Sequence, residues 1–185
     1  MTGSTIPTAN ERTQFDSDGF LLLERFLPPD RVAMLVERVE LAVARRREFE
    51  SKGTANTGMT NINGDNTRLF YILDDNPAFL DLMDDPLIMP YITDLLHEKP
   101  HFAASDANWE TEEGTGGFWW HIDGHDDGYR KLRPHIPLLQ LKVGYYLTDM
   151  TEPNQGNLML VPGSHQFTID VKFATFIVTR VGWTA

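Results

Sequence analysis

The pattern of hydrophobic and polar positions changes period at Pro100. Before it, apolar residues recur with helical spacing; after it, they alternate or run together as in strands. Val32, Leu35, Val36, Val39 and Val43 follow Pro28-Pro29-Asp30 at i, i+3, i+4, i+7 spacing. This predicts a helix over about 30–49, with Asp30 as N-terminal cap and Gly53 as its stop. Arg45, Arg46 and Arg47 fall in its last turns, where cations complement the helix dipole, a reading preferred to phosphate binding. Asn76-Pro77 and Asp85-Pro86 each pair a capping side chain with proline at the first helical position, predicting short helices over 77–84 and 86–97. Core packing accounts for their apolar residues, Phe79, Leu82, Ile88, Tyr91 and Leu95 among them. Phe20 to Leu23 reads as a short strand. Residues 51–66, rich in Gly, Asn and Thr, read as a loop, either a lid or a plain connection.

Beyond Pro100, His101 to Trp109, Gly117 to Asp123, Leu138 to Thr148, Leu158 to Val161 and Gln166 to Val181 read as strands. In the third, Leu139, Leu141, Val143, Tyr145 and Leu147 share one face and Gln140, Lys142, Gly144, Tyr146 and Thr148 the other. One dry face and one polar face suit a barrel that holds a ligand. Helices first and strands later give an α+β class, mainly β.

Composition narrows the function classes. The 185 residues suit one domain, and the net charge of −11 disfavours a nucleic-acid partner. Cysteine is absent, which excludes disulfides, thiol catalysis and cysteine-ligated clusters. The first fifteen residues are polar, unlike a signal peptide, and no apolar run approaches the ~18 residues of a membrane span. The expectation is a cytoplasmic protein with no membrane partner, a flexible tail over 1–11 and a single domain over 12–185.

The candidate chemistry lies in Gly116-Gly117-Phe118-Trp119-Trp120-His121-Ile122-Asp123-Gly124. Residues two apart on a strand face the same way. His121 and Asp123 would present an imidazole and a carboxylate to one point, two-thirds of the facial triad that holds non-haem Fe(II). A lone His-x-Asp is a weak signal. A second stretch, Asn154 to His165, strengthens it.

These stretches resemble a family. Trp120-His121-x-Asp123-Gly124, the strand end Tyr145-Tyr146-Leu147-Thr148-Asp149 and Gly156-Asn157-Leu158-x-x-Val161-Pro162-Gly163-Ser164-His165 occur in the order found in the phytanoyl-CoA dioxygenase family. Phe15-x-x-Asp18-Gly19-Phe20 is similar to that family's start. The resemblance covers about 12–167. It implies a double-stranded β-helix, or jelly roll, braced by N-terminal helices. It also implies an Fe(II)- and 2-oxoglutarate-dependent dioxygenase, with ascorbate as reductant, hydroxylating a small organic substrate. His121 and Asp123 would be metal ligands, and Asn108, thirteen residues before His121, would contact the 2-oxoglutarate carboxylate.

The remaining histidines read as structural. His125 falls in a loop, His135 between prolines, His97 and His101 at a helix end, and His165 as a residue ordering its turn. Trp119 and Trp120 alternate across their strand. The family's second histidine ligand and its following arginine have no counterpart among Gln166 to Ala185, where Arg180 lacks the matching context. The expectation is therefore a jelly roll with later strands missing or replaced. Three readings stay open: the dioxygenase, a truncated and catalytically incompetent piece of one, and a non-enzymatic small-molecule-binding jelly roll. Little succinate is expected from the 185 residues alone.

Overall fold

The computed structural model describes residues 6–53, 59–64, 66–97, 99–110, 138, 140–152 and 155–166. Among the described residues there are four helices: α1 (Ala9–Asp18), α2 (Pro29–Ser51), α3 (Pro77–Met83) and α4 (Met89–Leu96). Between α2 and α3 lie β1 (Thr60–Asn63), β2 (Asn66–Phe70) and a 3-10 turn (Ile72–Asp74). β3 (Asp106–Trp109) follows α4, and a second 3-10 turn spans Ser164–Gln166. Among the described residues the strands form one antiparallel sheet in the order β1-β2-β3. Helices plus a small antiparallel sheet is as far as the α+β expectation is met.

α2 is the spine. Its stripe is buried as expected at Val32, Leu35, Val39 and Val43, joined by Ala42. With Leu27, Leu69, Ile72 and Phe79 these residues make the main core. Leu27, Leu35 and Leu69 have no exposed surface, and each contributes roughly 1.5–3 kcal/mol by burial. The cap differs from expectation. Pro28 is the N-cap residue and Pro29 the first helical residue, while Asp30 sits inside the first turn and acts on the dipole. Gly53, at φ +65°, ends the helix as predicted.

The arginine triplet serves tertiary structure rather than the helix dipole. Arg46 is 9 % exposed and donates to the carbonyls of Met59 (2.6 Å) and Phe70 (2.7 Å) and to the Asp75 carboxylate. Burial, and then the neighbouring Arg45 cation, lower its pKa. Arg45 also pairs with Asp75, whose side chain is only 2 % exposed. Arg47 Nε donates to Thr67 Oγ1 at 2.7 Å and Nη2 to the Gly64 carbonyl at 3.1 Å. These bonds tie α2 to the ends of the strands, the Met59 carbonyl also accepting from Phe70 N at 2.9 Å.

The loop expected over 51–66 contains a hairpin instead. Asn63 pairs with Asn66, leaving Gly64-Asp65 as a two-residue connection, and Gly64 has the positive φ (+61°) that such turns require. Gly-Asp between two short runs was the overlooked signal. Phe20 to Leu23 is likewise not a strand; Leu21 is buried and Leu23 packs beside it, without a ladder. α1 begins at Ala9, inside the segment expected to be a tail, because Thr8 and Glu11 form a reciprocal capping box.

Asn76 caps α3 as predicted, its Oδ1 accepting from Ala78 N at 3.0 Å. The helix expected from Pro86 starts only at Met89. Asp85 still caps the turn that leads into it, Oδ1 accepting from Leu87 N at 2.7 Å and its carbonyl from Ile88 N and Met89 N at 3.0 and 2.9 Å, while Oδ2 pairs with Arg31 of α2. The strand expected over 101–109 shrinks to Asp106–Trp109. Residues 140–147 and 157–161 carry no ladder among the described residues. The alternation in the first of these still has meaning, since Tyr145 and Leu147 pack on the main core and Leu141 on the second cluster, beside Phe15 and Leu21. The expected strand Gly117 to Asp123 and nearly all of Gln166 to Val181 lie outside the described residues.

Candidate functional site

Strand alternation gives the sheet two faces. Thr67 and Leu69 are buried towards α2, with Ala107 and Trp109 packed beside them. Arg68, Phe70, Asp106 and Asn108 therefore point to the opposite face. Register sets Arg68 directly across from Asn108, and Phe70 across from Asp106. Arg68 Nε donates to Asp106 Oδ2 at 2.7 Å, and its guanidinium lies 4.8 Å from the Phe70 ring centroid. Asn108, the predicted co-substrate contact, is thus exposed on a polar strand face beside a cation. Sequence reading passed over Arg68. Its signal was its place in Thr67-Arg68-Leu69-Phe70, one position out of phase with the buried pair.

The predicted turn at Pro162 to His165 closes onto the end of α1. Gly163 N donates to the Asp18 carbonyl at 2.8 Å. His165 Nε2 and Gln166 Nε2 both donate to the Asp16 carbonyl, at 3.1 and 2.6 Å, so His165 orders its turn as expected. The imidazole lies against Gly19, where an added Cβ would sit 2.3 Å from His165 Nδ1. Gly19 also adopts φ +82° as the helix C-cap, its N–H donating to the Phe15 carbonyl at 2.9 Å. Phe15 is buried behind it. Two motifs about 150 residues apart thereby form one joint.

The Tyr145 to Asp149 segment is held from both sides. Tyr145 packs against Phe26, centroids 6.4 Å apart, and its hydroxyl donates to the Leu82 carbonyl at 3.1 Å. Burial, and then the Asp85 carboxylate, raise its pKa strongly. Further on, Asn157 Nδ2 donates to the Met150 carbonyl at 2.6 Å, and Glu152 N donates to Gln155 Oε1 at 3.0 Å. This loop passes Glu110, whose Oε2 would lie 3.4 Å from a Cβ added at Gly156.

His121 and Asp123 lie outside the described residues, as do His125, His135, Trp119, Trp120 and Arg180. Their donor types, one imidazole and one carboxylate, suit Fe(II). Among the described residues no group of three His, Cys, Asp or Glu is placed to hold a metal ion. His97 ends α4 with φ +56°, His101 is exposed, and His165 is committed to Asp16. The apolar hollow lined by Phe15, Leu21, Tyr91, Leu95 and Leu141 encloses about 10 Å³, room for a water rather than a substrate. No helix among the described residues is long and apolar enough to cross a membrane.

The family model for phytanoyl-CoA dioxygenase (PhyH) matches residues 15–175. The chain belongs to this family. Its joint between Gly19 and His165 links the two ends of the family-like stretch read from the sequence, and the match runs past the expected limit near 167. Curated relatives include a protein named ectoine dioxygenase from Bordetella bronchiseptica, 29 % identical over 168 residues, covering 86 % of this chain and 50 % of that one. Ectoine dioxygenases of Sphingopyxis alaskensis (26 % identical; 86 % and 50 %) and Stutzerimonas stutzeri (29 % identical; 91 % and 54 %) match similarly. The chain spans about half the length of these relatives. No solved structure matches it significantly.

Proposed function

We propose that this phytanoyl-CoA dioxygenase family chain carries part of the active site of an Fe(II)- and 2-oxoglutarate-dependent dioxygenase that hydroxylates a small organic molecule. The observation that carries this reading is the family match over 15–175, which includes His121-x-Asp123 in the expected motif order. The relatives' names make ectoine and similar small zwitterions the first substrates to test. On this reading the surrounding fold is a double-stranded β-helix.

In this proposal His121, neutral at one ring nitrogen, and the Asp123 carboxylate hold the iron. Bound iron supplies oxygen activation; the protein binds and orients the reactants. Asn108 donates its amide hydrogens to a 2-oxoglutarate carboxylate. The negative net charge makes a positive local anchor necessary for a dianionic co-substrate. The third metal ligand of the family is not assigned to any residue of this chain.

The test is succinate formation from 2-oxoglutarate with Fe(II) and ascorbate. It is measured in the 185-residue chain and in a version extended to the relatives' length. Low turnover is expected from the first and substantial turnover from the second, both abolished by His121→Ala and by Asp123→Ala. Turnover indifferent to both substitutions would refute the site assignment.

A further inference from the structure

We infer that Asn63 is a self-modifying residue: it deamidates through the Gly64 amide, and the isoaspartate so formed loosens the β1–β2 hairpin from α2. The reaction needs none of the residues of the proposed active site. Three observations carry the inference. First, Asn63-Gly64 is the one Asn-Gly pair in the sequence. Glycine has no Cβ to shield its nitrogen, and its backbone reaches conformations closed to other residues. Second, Asn63 and Gly64 are both exposed at the tip of the hairpin, so water and hydroxide reach them. Third, among the described residues nothing accepts a hydrogen bond from Gly64 N. Gly64 is held instead by its carbonyl, which accepts from Arg47 Nη2 at 3.1 Å. The nitrogen that must act as nucleophile is not committed to any of these neighbours.

The step balances without an oxidant or a cofactor. Gly64 N, deprotonated by hydroxide, attacks Asn63 Cγ. The N–Cγ bond forms, the Cγ–Nδ2 bond breaks, and Nδ2 leaves as ammonia with a proton from water, closing a five-membered succinimide. Water then opens the ring. Cleavage at Cγ leaves aspartate; cleavage at the main-chain carbonyl leaves isoaspartate, with the chain routed through the side chain. One water enters and one ammonia departs. The other described asparagines each miss a requirement. Asn76 precedes Pro77, which has no N–H. The nitrogen after Asn10, Glu11 N, donates to Thr8 Oγ1 at 3.2 Å. Asn157 Nδ2 is held by the Met150 carbonyl at 2.6 Å. Asn61, Asn66 and Asn108 sit in ladders and precede Ile62, Thr67 and Trp109, whose side chains crowd the next nitrogen. At Asp18-Gly19, the comparable acidic pair, Gly19 N donates to the Phe15 carbonyl at 2.9 Å and the His165 ring lies against it.

The two products act differently on the fold. Asn63 and Asn66 form the last rung of the hairpin, and loop length fixes the register beyond it. Isoaspartate adds a methylene to the main chain at that rung. Arg47 Nη2 donates to the Gly64 and Asn66 carbonyls, at 3.1 and 3.4 Å, and Nε to Thr67 Oγ1 at 2.7 Å. These bonds hang the hairpin on α2. A guanidinium presents its donors in one rigid plane, so carbonyls shifted by the longer chain leave its reach. Aspartate at position 63 keeps the chain length and therefore keeps these bonds.

The test ages the 185-residue chain in mildly alkaline buffer, then maps its peptides by mass spectrometry and by methyl transfer from an isoaspartyl methyltransferase. The peptide holding Asn63-Gly64 should gain isoaspartate about tenfold faster than any other asparagine peptide, the rate equivalent of one residue's backbone that need not be freed. Asn63→Gln should remove that signal, because its longer side chain would have to close a six-membered ring, and should leave the other peptides unchanged. The isoaspartate-rich fraction, separated by its added negative charge, should melt about 2–4 °C below Asn63→Asp, the shift for losing one hydrogen bond in a chain of this size. That variant carries the charge without the methylene. Isoaspartate forming first at another residue would overturn the proposal. So would an intact Asn63 in the folded chain when the same bond converts in the urea-unfolded chain, since the turn would then hold Gly64 N away from Cγ. Equal melting of the isoaspartate-rich fraction and Asn63→Asp would overturn the loosening of the hairpin.

Discussion

The two faces of the three-stranded sheet are built from neighbouring residues of the same strands, yet they obey different chemistry. On one face Thr67 and Leu69 are at most 2 % exposed under α2. On the other, Arg68 and Phe70 are half-buried and Asp106 and Asn108 exposed, with the Arg68 guanidinium held by Asp106 and by the Phe70 ring. Among the described residues the ions beside the first face are tied down, Arg47 to Thr67 Oγ1 and the Gly64 carbonyl, and Arg46 to Asp75 and strand-end carbonyls. The second keeps an ion pair in water, where it adds little to stability and remains free to exchange partners. Strand alternation lets one short segment serve the core with every second residue and turn the rest away from it.

Substitutions on the core side should break the fold. Asp75→Ala strands the buried Arg46 cation and should cost ~3–5 kcal/mol, read by urea denaturation; a change below ~1 kcal/mol would mean the network is not buried in solution. Leu69→Ala, at a site with no exposed surface, should cost ~2–5 kcal/mol in the same measurement.

The joint between α1 and the Pro162 to Gln166 turn tests a middle range. Gly19→Ala meets both a left-handed backbone and the His165 ring, and should cost about 1–3 kcal/mol. Adding His165→Ala should restore only part of this, since the backbone penalty remains. Full restoration would assign the whole effect to the ring.

Tyr145 supplies a pH test of the core. Its raised pKa means the folded state keeps the phenol proton after the unfolded chain has lost it at about pH 10. Its contribution is therefore complete below that pH and lost as pH rises further. Tyr145→Phe should lose about 1 kcal/mol at neutral pH, with the Leu82 hydrogen bond gone, and should lack this alkaline slope between pH 10 and 12. Equal slopes in both proteins would place the ionisation elsewhere.

The smallest stability effect belongs to the polar face. Arg68→Gln and Asp106→Asn should each shift unfolding by less than ~1 kcal/mol, because the pair is more than a third exposed. A larger loss in either would give this face a structural weight like that of the core side and weaken the contrast between the two.

Local chemistry alone determined several features of this protein. The α2 stripe, the Asn76 cap, the Gly53 stop and the family motifs at 15–20, 120–124 and 156–165 each depend on a few neighbouring residues, so they were readable without a fold. Tertiary structure decided the rest. Asp85 caps its turn as local chemistry predicts, but only packing shows that its other carboxylate oxygen pairs with Arg31, 54 residues away. The arginine triplet serves the hairpin rather than the dipole because the strand-end carbonyls of Met59 and Phe70 come within reach. Gly19 and His165 carry no mutual signal in sequence, and their contact exists only once α1 and the last turn are packed. Arg68 likewise meets Asp106 only because β2 and β3 pair in this register. A sequence states what each residue can do with its neighbours. Buried charges and cross-strand partners come from distant segments, and the free energy of desolvating or pairing them is settled only when the chain closes.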